Sequence, residues 1–294
     1  MKKILITGAN SYVGTSFEAY MQKFEGQYEI DTLDMLDPSW RETSFTGYDV
    51  IFHVAGIAHS DNGKISKEKE ELYYAVNTKL TIEVASKAKA EGVGQFVYMS
   101  SAIVYGESAK IGKSKMITSE TEPCPANCYG DSKLQAEKGI LPLSDMDFKV
   151  VCLRPPMIYG KGSRGNYPML SKFARKMKIF PYVKNQRSML YIENLCEFVR
   201  LIIENEEEGI FHPQNREYTN TSEMVKAIGG VYGKSVKLLK GFGWALRLLS
   251  AFTGLVNKAF GNLTYDFELS KYEKGNYQIV SLEESILKTE KADI

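Results

Sequence analysis

The stretch Lys3-Ile-Leu-Ile-Thr-Gly-Ala-Asn-Ser-Tyr-Val-Gly14 decides the fold of this chain. The apolar run Ile4–Ile6 is soon followed by Gly8, and residues 12–24 then show the apolar spacing of a helix. Gly8 allows the chain to turn sharply off the strand, and Gly14 allows the helix to pack close to the sheet. The segment therefore predicts a buried strand, a tight turn and a helix at the start of an α/β domain.

The rest of the first half repeats this alternation. Further strand-like apolar runs occur at residues 28–33, 49–54, 96–99 and 149–153. Helical spacing is found at residues 12–24, 68–91 and 129–141. Strands separated by helices of this length form parallel sheets with helices on both faces. We expect a Rossmann-type doubly wound α/β domain over residues 1–160.

The alternation weakens after residue 160, which predicts a smaller, mostly helical second domain over 161–294. A segment near 187–212, which includes a short strand at 209–212, is expected to return to the first domain. Further helices are predicted near 168–177, 193–205, 242–260 and 282–289. The apolar stretch 242–260 is interpreted as a helix packed within the second domain, with a membrane-surface segment as the alternative.

Composition limits the classes of partner. Hydrophobic residues make up 44% of the chain, charged residues 25%, and the net charge is +1. Such a chain is typical of a soluble globular protein and lacks the basic charge of a nucleic-acid or membrane binder. The four cysteines do not have metal-ligand spacing, so we expect free thiols, no metal and a cytoplasmic protein. No apolar run is long enough to predict a transmembrane segment.

The turn at residues 8–14 suits the pyrophosphate of a dinucleotide. Free N–H groups and the dipole at a helix start stabilise phosphate, and Ser11 takes the middle position of the glycine motif. Asp34, after the second strand, is expected to bind the adenosine ribose hydroxyls, with Asp31 and Asp37 as rivals. No Arg neighbours Asp34 to bind a 2′-phosphate, which favours NAD over NADP.

A second group of polar residues lies further along the domain. Tyr129 and Lys133 are four residues apart and share one face of the predicted helix 129–141. A lysine beside a phenol lowers the pKa of the phenol, as does a nearby nicotinamide cation, and both would tune Tyr129 for proton transfer with a sugar hydroxyl near neutral pH. Ser101 follows a predicted strand and can bond the same substrate oxygen. All three lie at the carboxyl ends of strands, where open α/β sheets bind ligands.

Together these motifs resemble the extended short-chain dehydrogenase/reductase superfamily, in its NAD-dependent nucleotide-sugar epimerase/dehydratase family. The matching segments occur in family order: Thr7–Gly14, His53–Gly56, Asn77, Ser101–Gly106 and Tyr129–Lys133. The resemblance implies a set of residues at the cofactor: Gly8, Ser11, Tyr12, Val13, Gly14, Asp34, Val54, Ala55, Gly56, Asn77, Tyr129 and Lys133.

The resemblance also implies catalytic and substrate roles. Tyr129 would be the acid/base, Ser101 its partner, and Lys133 would bind the nicotinamide ribose and tune the phenol. Asn166 and Arg187 would contact the sugar diphosphate. Family members are commonly homodimers that pack through two helices, here residues 71–91 and 129–141.

Three functions remain open. Related 4,6-dehydratases carry an Asp-Glu pair where this chain has Ala102-Ile103, so we expect no dehydratase. A 4-epimerase of a UDP-hexose or UDP-N-acetylhexosamine is favoured, although Pro155-Pro156 after Arg154 departs from the usual epimerase pattern. The alternatives are a reductase of UDP-4-keto-6-deoxy sugars for surface polysaccharide and a non-catalytic NAD-binding regulator. The carrier could also be dTDP or polyprenyl diphosphate.

Two histidines receive different interpretations. His53 ends a predicted strand and is expected to be a packed, hydrogen-bonded residue rather than a catalytic one. His59 lies in the following loop, where a contact with the substrate is an alternative.

Overall fold

The computed structural model describes residues 1–57, 65–242, 257 and 259–291. Its strands are β1 (Lys2–Thr7), β2 (Tyr28–Leu33), β3 (Val50–His53), β4 (Gln95–Met99), β5 (Met116–Ile117), β6 (Lys149–Leu153), β7 (Met157–Tyr159), β8 (Ile179–Pro181), β9 (Met189–Tyr191), β10 (Gly209–Phe211), β11 (Lys237–Leu239) and β12 (Thr264–Tyr265). Its α-helices are α1 (Tyr12–Met21), α2 (Lys67–Tyr73), α3 (Thr81–Ala90), α4 (Cys128–Ile140), α5 (Tyr167–Lys176), α6 (Ile192–Glu204), α7 (Thr221–Val231) and α8 (Leu282–Glu290).

Six parallel strands form the central sheet in the order β10-β6-β4-β3-β1-β2. Alternate residues of β1 enter separate cores: Ile4 and Ile6 lie in one, and Leu5 lies in the other. Phe17 of α1 packs in the first core, and Val84 of α3 packs in the second. Helices therefore cover both faces, which confirms the predicted doubly wound Rossmann-type fold.

The strand order indicates where on the sheet a ligand would bind. The chain runs from β1 outward to β2 and then returns to β3 on the other side of β1, so the loops after β1 and β3 leave the sheet edge in opposite directions. Ligands of open α/β sheets bind at such a switch point, beyond the carboxyl ends of the strands. The Gly8 turn, the segment after His53 and Ser101 after β4 all lie at this edge.

The segment predicted as one helix over 68–91 is divided. Its middle part, Tyr74–Leu80, is a π-helix between α2 and α3. A π-helical turn inserts an extra residue into the hydrogen-bond ladder, and apolar spacing alone does not reveal it.

Outside the central sheet, the chain contains more strand than predicted. Three two-stranded parallel ladders join β5 with β12, β7 with β9, and β8 with β11. These strands span two or three residues each, which is too short to show the alternation that identifies strands in a sequence. Strand β10 pairs with β6 of the central sheet, and α6 packs in the same core as α1.

Some predictions lie outside the described residues, namely that for His59 and most of that for the helix at 242–260. Among the helices of the described part, none is long and apolar enough to cross a membrane.

Candidate active site

Gly8 is required where β1 turns towards α1. Its φ is +120°, and a Cβ built there would lie 2.6 Å from the backbone N of Ala55. Both Val54 and Ala55 donate their backbone N–H to the carbonyl of Thr7, at 3.0 and 2.9 Å. The turn after β1 therefore packs directly against the turn after β3. The backbone of both turns lies on one side of the candidate crevice.

Helix α1 begins at Tyr12 directly after this turn. Ser11 caps the helix by accepting the N–H of Gly14 at 3.2 Å. The first-turn N–H groups of Tyr12 and Val13 precede the intrahelical ladder, so they can bond a ligand. Gly14 has no room for a side chain, because a Cβ there would lie 2.7 Å from Ser11 Oγ. The turn therefore presents these two N–H groups at the start of a helix, and phosphate binding there stays a prediction.

The three candidate ribose-binding carboxylates have different surroundings. Asp31 accepts the hydroxyl of Tyr48 at 2.8 Å, and Asp37 caps a short 3₁₀ helix by accepting the N–H of Ser39 at 2.9 Å. Asp34 is exposed just after β2, and one of its oxygens accepts the N–H of Leu36 at 2.9 Å. Its position at the carboxyl end of β2 favours Asp34 as the ribose ligand.

Tyr129 and Ser101 meet across the start of α4. Asn127 caps this helix by accepting the N–H of Gly130 at 2.9 Å. A Cβ at Gly130 would lie 2.8 Å from the carbonyl O of Ile103, so the glycine allows α4 to approach the turn after Ser101. The Ser101 hydroxyl accepts the N–H of Ile103 at 3.3 Å and lies near enough to Tyr129 to lower the pKa of its phenol. The structure thus brings together two of the predicted catalytic residues.

The pKa of Tyr129 differs from the sequence-based expectation. Burial raises the pKa to about 12, the hydrogen bond with Ser101 lowers it, and the neighbouring Tyr73 raises it. The sequence predicted that Lys133 lowers the pKa of Tyr129. That prediction is wrong, because desolvation of the phenolate has the larger effect and raises this pKa. Tyr129 is a neutral phenol at physiological pH.

Lys133 lies one turn further along α4 and is buried. Its Nζ donates to the carbonyl of Met99 at 2.9 Å and lies 4.8 Å from the ring centre of Tyr98. Burial lowers the pKa of Lys133 to about 8, against the opposing effect of Glu137. A Cβ at Gly56 would lie 3.1 Å from this Nζ, so the absence of a side chain there gives the ammonium access to the crevice.

Asn77 stands in the π-helix and is fully buried. Its Oδ1 accepts the N–H of Ile57 at 2.8 Å, and its Nδ2 donates to the carbonyl of Ile57 and to Ser132 Oγ, at 3.2 and 3.0 Å. Asn77 therefore links the segment after β3 to α4, and its bond to Ser132 fixes the helix next to Lys133.

His53 is fully buried at the end of β3. Its ring nitrogens bond the hydroxyls of Thr7 and Thr81, at 2.7 and 3.1 Å. Burial and the nearby charge of Lys133 lower the pKa of His53 to about 3. The prediction of a packed, hydrogen-bonded histidine is confirmed.

The predicted substrate residues belong to the second part of the chain. Asn166 directly precedes α5 and is half-buried. Arg187 exchanges backbone hydrogen bonds with Thr219, and its Nη1 donates to the carbonyl of Ala259 at 3.2 Å. Burial lowers the pKa of Arg187 to about 10. Both stay predictions as contacts of a sugar diphosphate.

A charged cluster was missed by the sequence analysis. Glu137, on the same face of α4 as Lys133, forms a buried ion pair with Arg154, with 2.6 Å between Oε2 and Nη2. Ser100 donates its hydroxyl to the same carboxylate. A glutamate four residues after Lys133, on a helix face that must be buried, was the available signal.

Comparisons with known proteins agree with this geometry. A family model described as the NAD dependent epimerase/dehydratase family matches residues 4–213. The UDP-glucose 4-epimerase of Vibrio cholerae is 27% identical over 315 residues, covering 99% of this chain and 95% of that protein. The N-acetyl-alpha-D-glucosaminyl-diphospho-ditrans,octacis-undecaprenol 4-epimerase of Escherichia coli O157:H7 is 25% identical, covering 79% of this chain and 73% of that protein.

Solved structures show the same fold at low identity. The UDP-glucuronic acid 4-epimerase of Bacillus cereus, in complex with NAD, has a TM-score of 0.71 at 18% identity, covering 97% of this chain and 96% of that chain. The dTDP-4-dehydrorhamnose reductase of Bacillus anthracis, in complex with NADP, has a TM-score of 0.72 at 19% identity, covering 98% of each. Because the matched residues 4–213 include both the Gly8 turn and the Tyr129–Lys133 helix, the chain belongs to the NAD-dependent epimerase/dehydratase family.

Proposed function

We propose that this protein is an NAD-dependent 4-epimerase of a UDP-hexose or UDP-N-acetylhexosamine. The carrying observation is the proximity of the Ser101 hydroxyl to the Tyr129 phenol, whose pKa it lowers, one helical turn from the buried ammonium of Lys133. A hydroxyl, a phenol and a cation at the carboxyl edge of a parallel sheet suit oxidation and reduction of a sugar carbon. The similarity to the Vibrio cholerae UDP-glucose 4-epimerase supports the substrate class.

The residues present fit a dinucleotide. The Gly8 turn leaves backbone rather than side chains beside the start of α1, and the N–H groups of Tyr12 and Val13 are available there for a pyrophosphate. Asp34 is exposed at the end of β2 for the adenosine ribose. Val54, Ala55 and Gly56 would line the cofactor, and Lys133 would bind its nicotinamide ribose.

The protein side chains would handle the proton while carbon 4 changes oxidation state. Bound NAD would supply the acceptor for the carbon 4 hydride and its donor on return. Tyr129 would first have to ionise, favoured by the Lys133 charge and by the positive nicotinamide of bound NAD. The phenolate would then take the proton from the 4-hydroxyl as the C–H bond breaks and give it back to the keto oxygen when the bond re-forms. Ser101 would hold that oxygen by a hydrogen bond, and the Lys133 charge would stabilise the phenolate. Asn166 and Arg187 would hold the diphosphate.

One observation favours a reductase as the second candidate. The neutral phenol of Tyr129, with its pKa near 12, is the form that donates a proton to a keto oxygen. A reductase of a UDP-4-keto-6-deoxy sugar uses that direction alone, and Pro155-Pro156 departs from the usual epimerase pattern. Ala102 and Ile103 hold the positions where dehydratases carry Asp and Glu, so we do not propose water elimination.

Two measurements separate these functions. We expect NAD⁺ to stay bound through purification and to support reversible conversion between two UDP-sugars without added cofactor. Stoichiometric consumption of added NAD(P)H on a 4-keto sugar would instead identify a reductase. Bound cofactor with no conversion of any UDP-, dTDP- or polyprenyl-linked sugar would point to a regulatory protein.

Tyr129→Phe tests the proposed acid/base. It should lower kcat by about a hundredfold or more, while cofactor binding stays unchanged. The matched control is Tyr74→Phe, which removes a neighbouring hydroxyl that donates to Asp131 at 2.7 Å. A Tyr129→Phe protein as active as the control would refute the proposal.

A further inference from the structure

Glu137 occupies a position that the proposed chemistry does not use. It lies one helical turn beyond Lys133 on α4 and is 1% exposed. A carboxylate is almost never buried this deeply unless it is paired. The groups that contact Glu137 therefore indicate the role of its negative charge.

Two neighbours bond to the carboxyl group of Glu137. Arg154 donates to it from Nε, at 3.1 Å to Oε1, and from Nη2, at 2.6 Å to Oε2. Ser100 donates its hydroxyl to Oε1. Ser100 is adjacent to Ser101, so the carboxylate anchors the backbone that presents the proposed partner of Tyr129.

The same cluster extends to the second part of the chain. Arg154 Nη1 donates to the hydroxyl of Tyr105 at 2.6 Å, and that hydroxyl lies 2.7 Å from Nε2 of His212. The hydroxyl of Tyr265 donates to the carbonyl of Arg154 at 2.6 Å. The ends of β4, β6 and β10 are thereby tied to β12.

Among the described residues, the negatively charged neighbour of Lys133 is Glu137. Glu137 comes from α4 and Arg154 from the end of β6. The other titratable groups are neutral at pH 7, because burial lowers the pKa of His53 on β3 and raises those of Tyr98 on β4, Tyr129 on α4 and Cys152 on β6. Burial lowers the pKa of Lys133, and Glu137 opposes that shift.

We propose that Glu137 is a positioning residue that keeps Lys133 charged and holds the Ser100–Ser101 backbone in place, itself fixed by Arg154. The inference rests on the proposed function of Ser101, Tyr129 and Lys133. It assigns the buried ion pair a role in the reaction beyond stability.

Two variants that break the same ion pair test this role. Glu137→Gln removes the negative charge, so Lys133 should lose its proton at lower pH and the alkaline limb of the kcat profile should move to lower pH. Arg154→Gln leaves the carboxylate uncompensated, so that limb should move to higher pH. A purely structural role would not move the two profiles in opposite directions. Arg154→Lys, which keeps the charge, should restore the wild-type limb.

The expected size of the effect is measurable. Because a drop of one pKa unit from about 8 reduces the protonated fraction of Lys133 at pH 8 about fivefold, Glu137→Gln should lower kcat about fivefold at that pH, with KM changed less than about twofold. The matched control is Glu197→Gln, which breaks the pair of the buried Glu197 with the half-buried Arg200, at 2.7 Å on α6. It should lower the Tm comparably without moving the pH profile.

A direct readout avoids the sugar assay. The pKa of Lys133 can be followed by NMR in the protein with ¹³C-labelled lysine, with the signal identified by its loss in Lys133→Met. We expect a lower pKa in Glu137→Gln and a higher one in Arg154→Gln. If Glu137→Gln does not fold, the Lys133 pKa in Arg154→Gln is the deciding measurement, and it should be higher than in the wild type.

The two proposals fail by different results. An unchanged Lys133 pKa in every folded variant overturns the role of Glu137, even when Tyr129→Phe is inactive. Wild-type conversion by Tyr129→Phe overturns the proposed function, whatever the NMR titration shows.

Discussion

The two sides of the proposed crevice are built from different groups. At the ends of β1 and β3, glycines and backbone N–H groups form the surface, and Gly8 and Ala55 touch. At the end of β4 and on α4, side chains form it: Tyr129 is half-buried and Lys133 is buried, with the Glu137–Arg154 pair beneath them. The first side depends on close backbone approach and the second on charge. Substitutions should therefore act through sterics on one side and through pH on the other.

The largest effect is expected on the backbone side. Gly8→Ala should weaken NAD binding about a hundredfold, because its Cβ would lie 2.6 Å from Ala55 N at a φ of +120°. Isothermal titration of the purified, cofactor-stripped protein measures this. The control is Gly26→Ala, where φ is +74° but nothing lies within 4 Å. An equal loss in both would show that backbone strain, and not the contact with Ala55, is responsible.

His53 connects the two sides, and its titration should appear in acid. Its pKa is lowered to about 3 in the folded protein, below the ordinary 6.5, so the unfolded chain binds the proton more tightly. The free energy of unfolding should fall as pH drops through 6.5 towards 3, by about 2 kcal/mol from this residue at pH 5. Urea unfolding at pH 7 and pH 5 measures it.

A variant isolates that contribution. His53→Asn should lose about 2 kcal/mol less than wild type between pH 7 and pH 5, whatever its stability at pH 7. His212, whose pKa burial and Arg154 lower to about 4, titrates in the same range in both proteins and cancels in the comparison. Equal losses in the two proteins would contradict the assignment to His53.

The smallest effect is expected at Asp34, which follows β2 on the side of the crevice formed by backbone. Asp34→Asn should weaken NAD binding about tenfold, because an ionised acceptor for the ribose hydroxyls is lost. Asp31→Asn serves as the control, since that carboxylate already accepts the Tyr48 hydroxyl at 2.8 Å. A larger loss from Asp31→Asn, in the same titration, would exchange the roles of the two residues.

Much of the fold was readable because its signals are local. The apolar strands and the long helices of the first half show their periodicity within ten to fifteen residues. The short strands β7, β8 and β9 show no such pattern, since pairing with distant partners creates them. The π-helix at Tyr74–Leu80 was likewise hidden, because it depends on what packs against it.

The candidate site divides in the same way. The sequence predicted Ser101, Tyr129 and Lys133 as a catalytic group and the Gly8 turn as a phosphate site. It did not predict a role for Glu137 on α4, whose partner Arg154 comes from the end of β6. Its prediction of an acidic Tyr129 was wrong, because burial sets that pKa and burial is a property of the assembled protein.

The amino-acid sequence alone determined the Rossmann-type architecture and the residue types of the site, because periodicity, glycine positions and helical spacing act over short stretches of chain. Only the tertiary structure decided which charges meet and which protons are held. Desolvation and ion pairing depend on groups that are far apart in sequence, such as Ser100, Glu137 and Arg154, and come within hydrogen-bonding distance only when the sheet and its helices have packed.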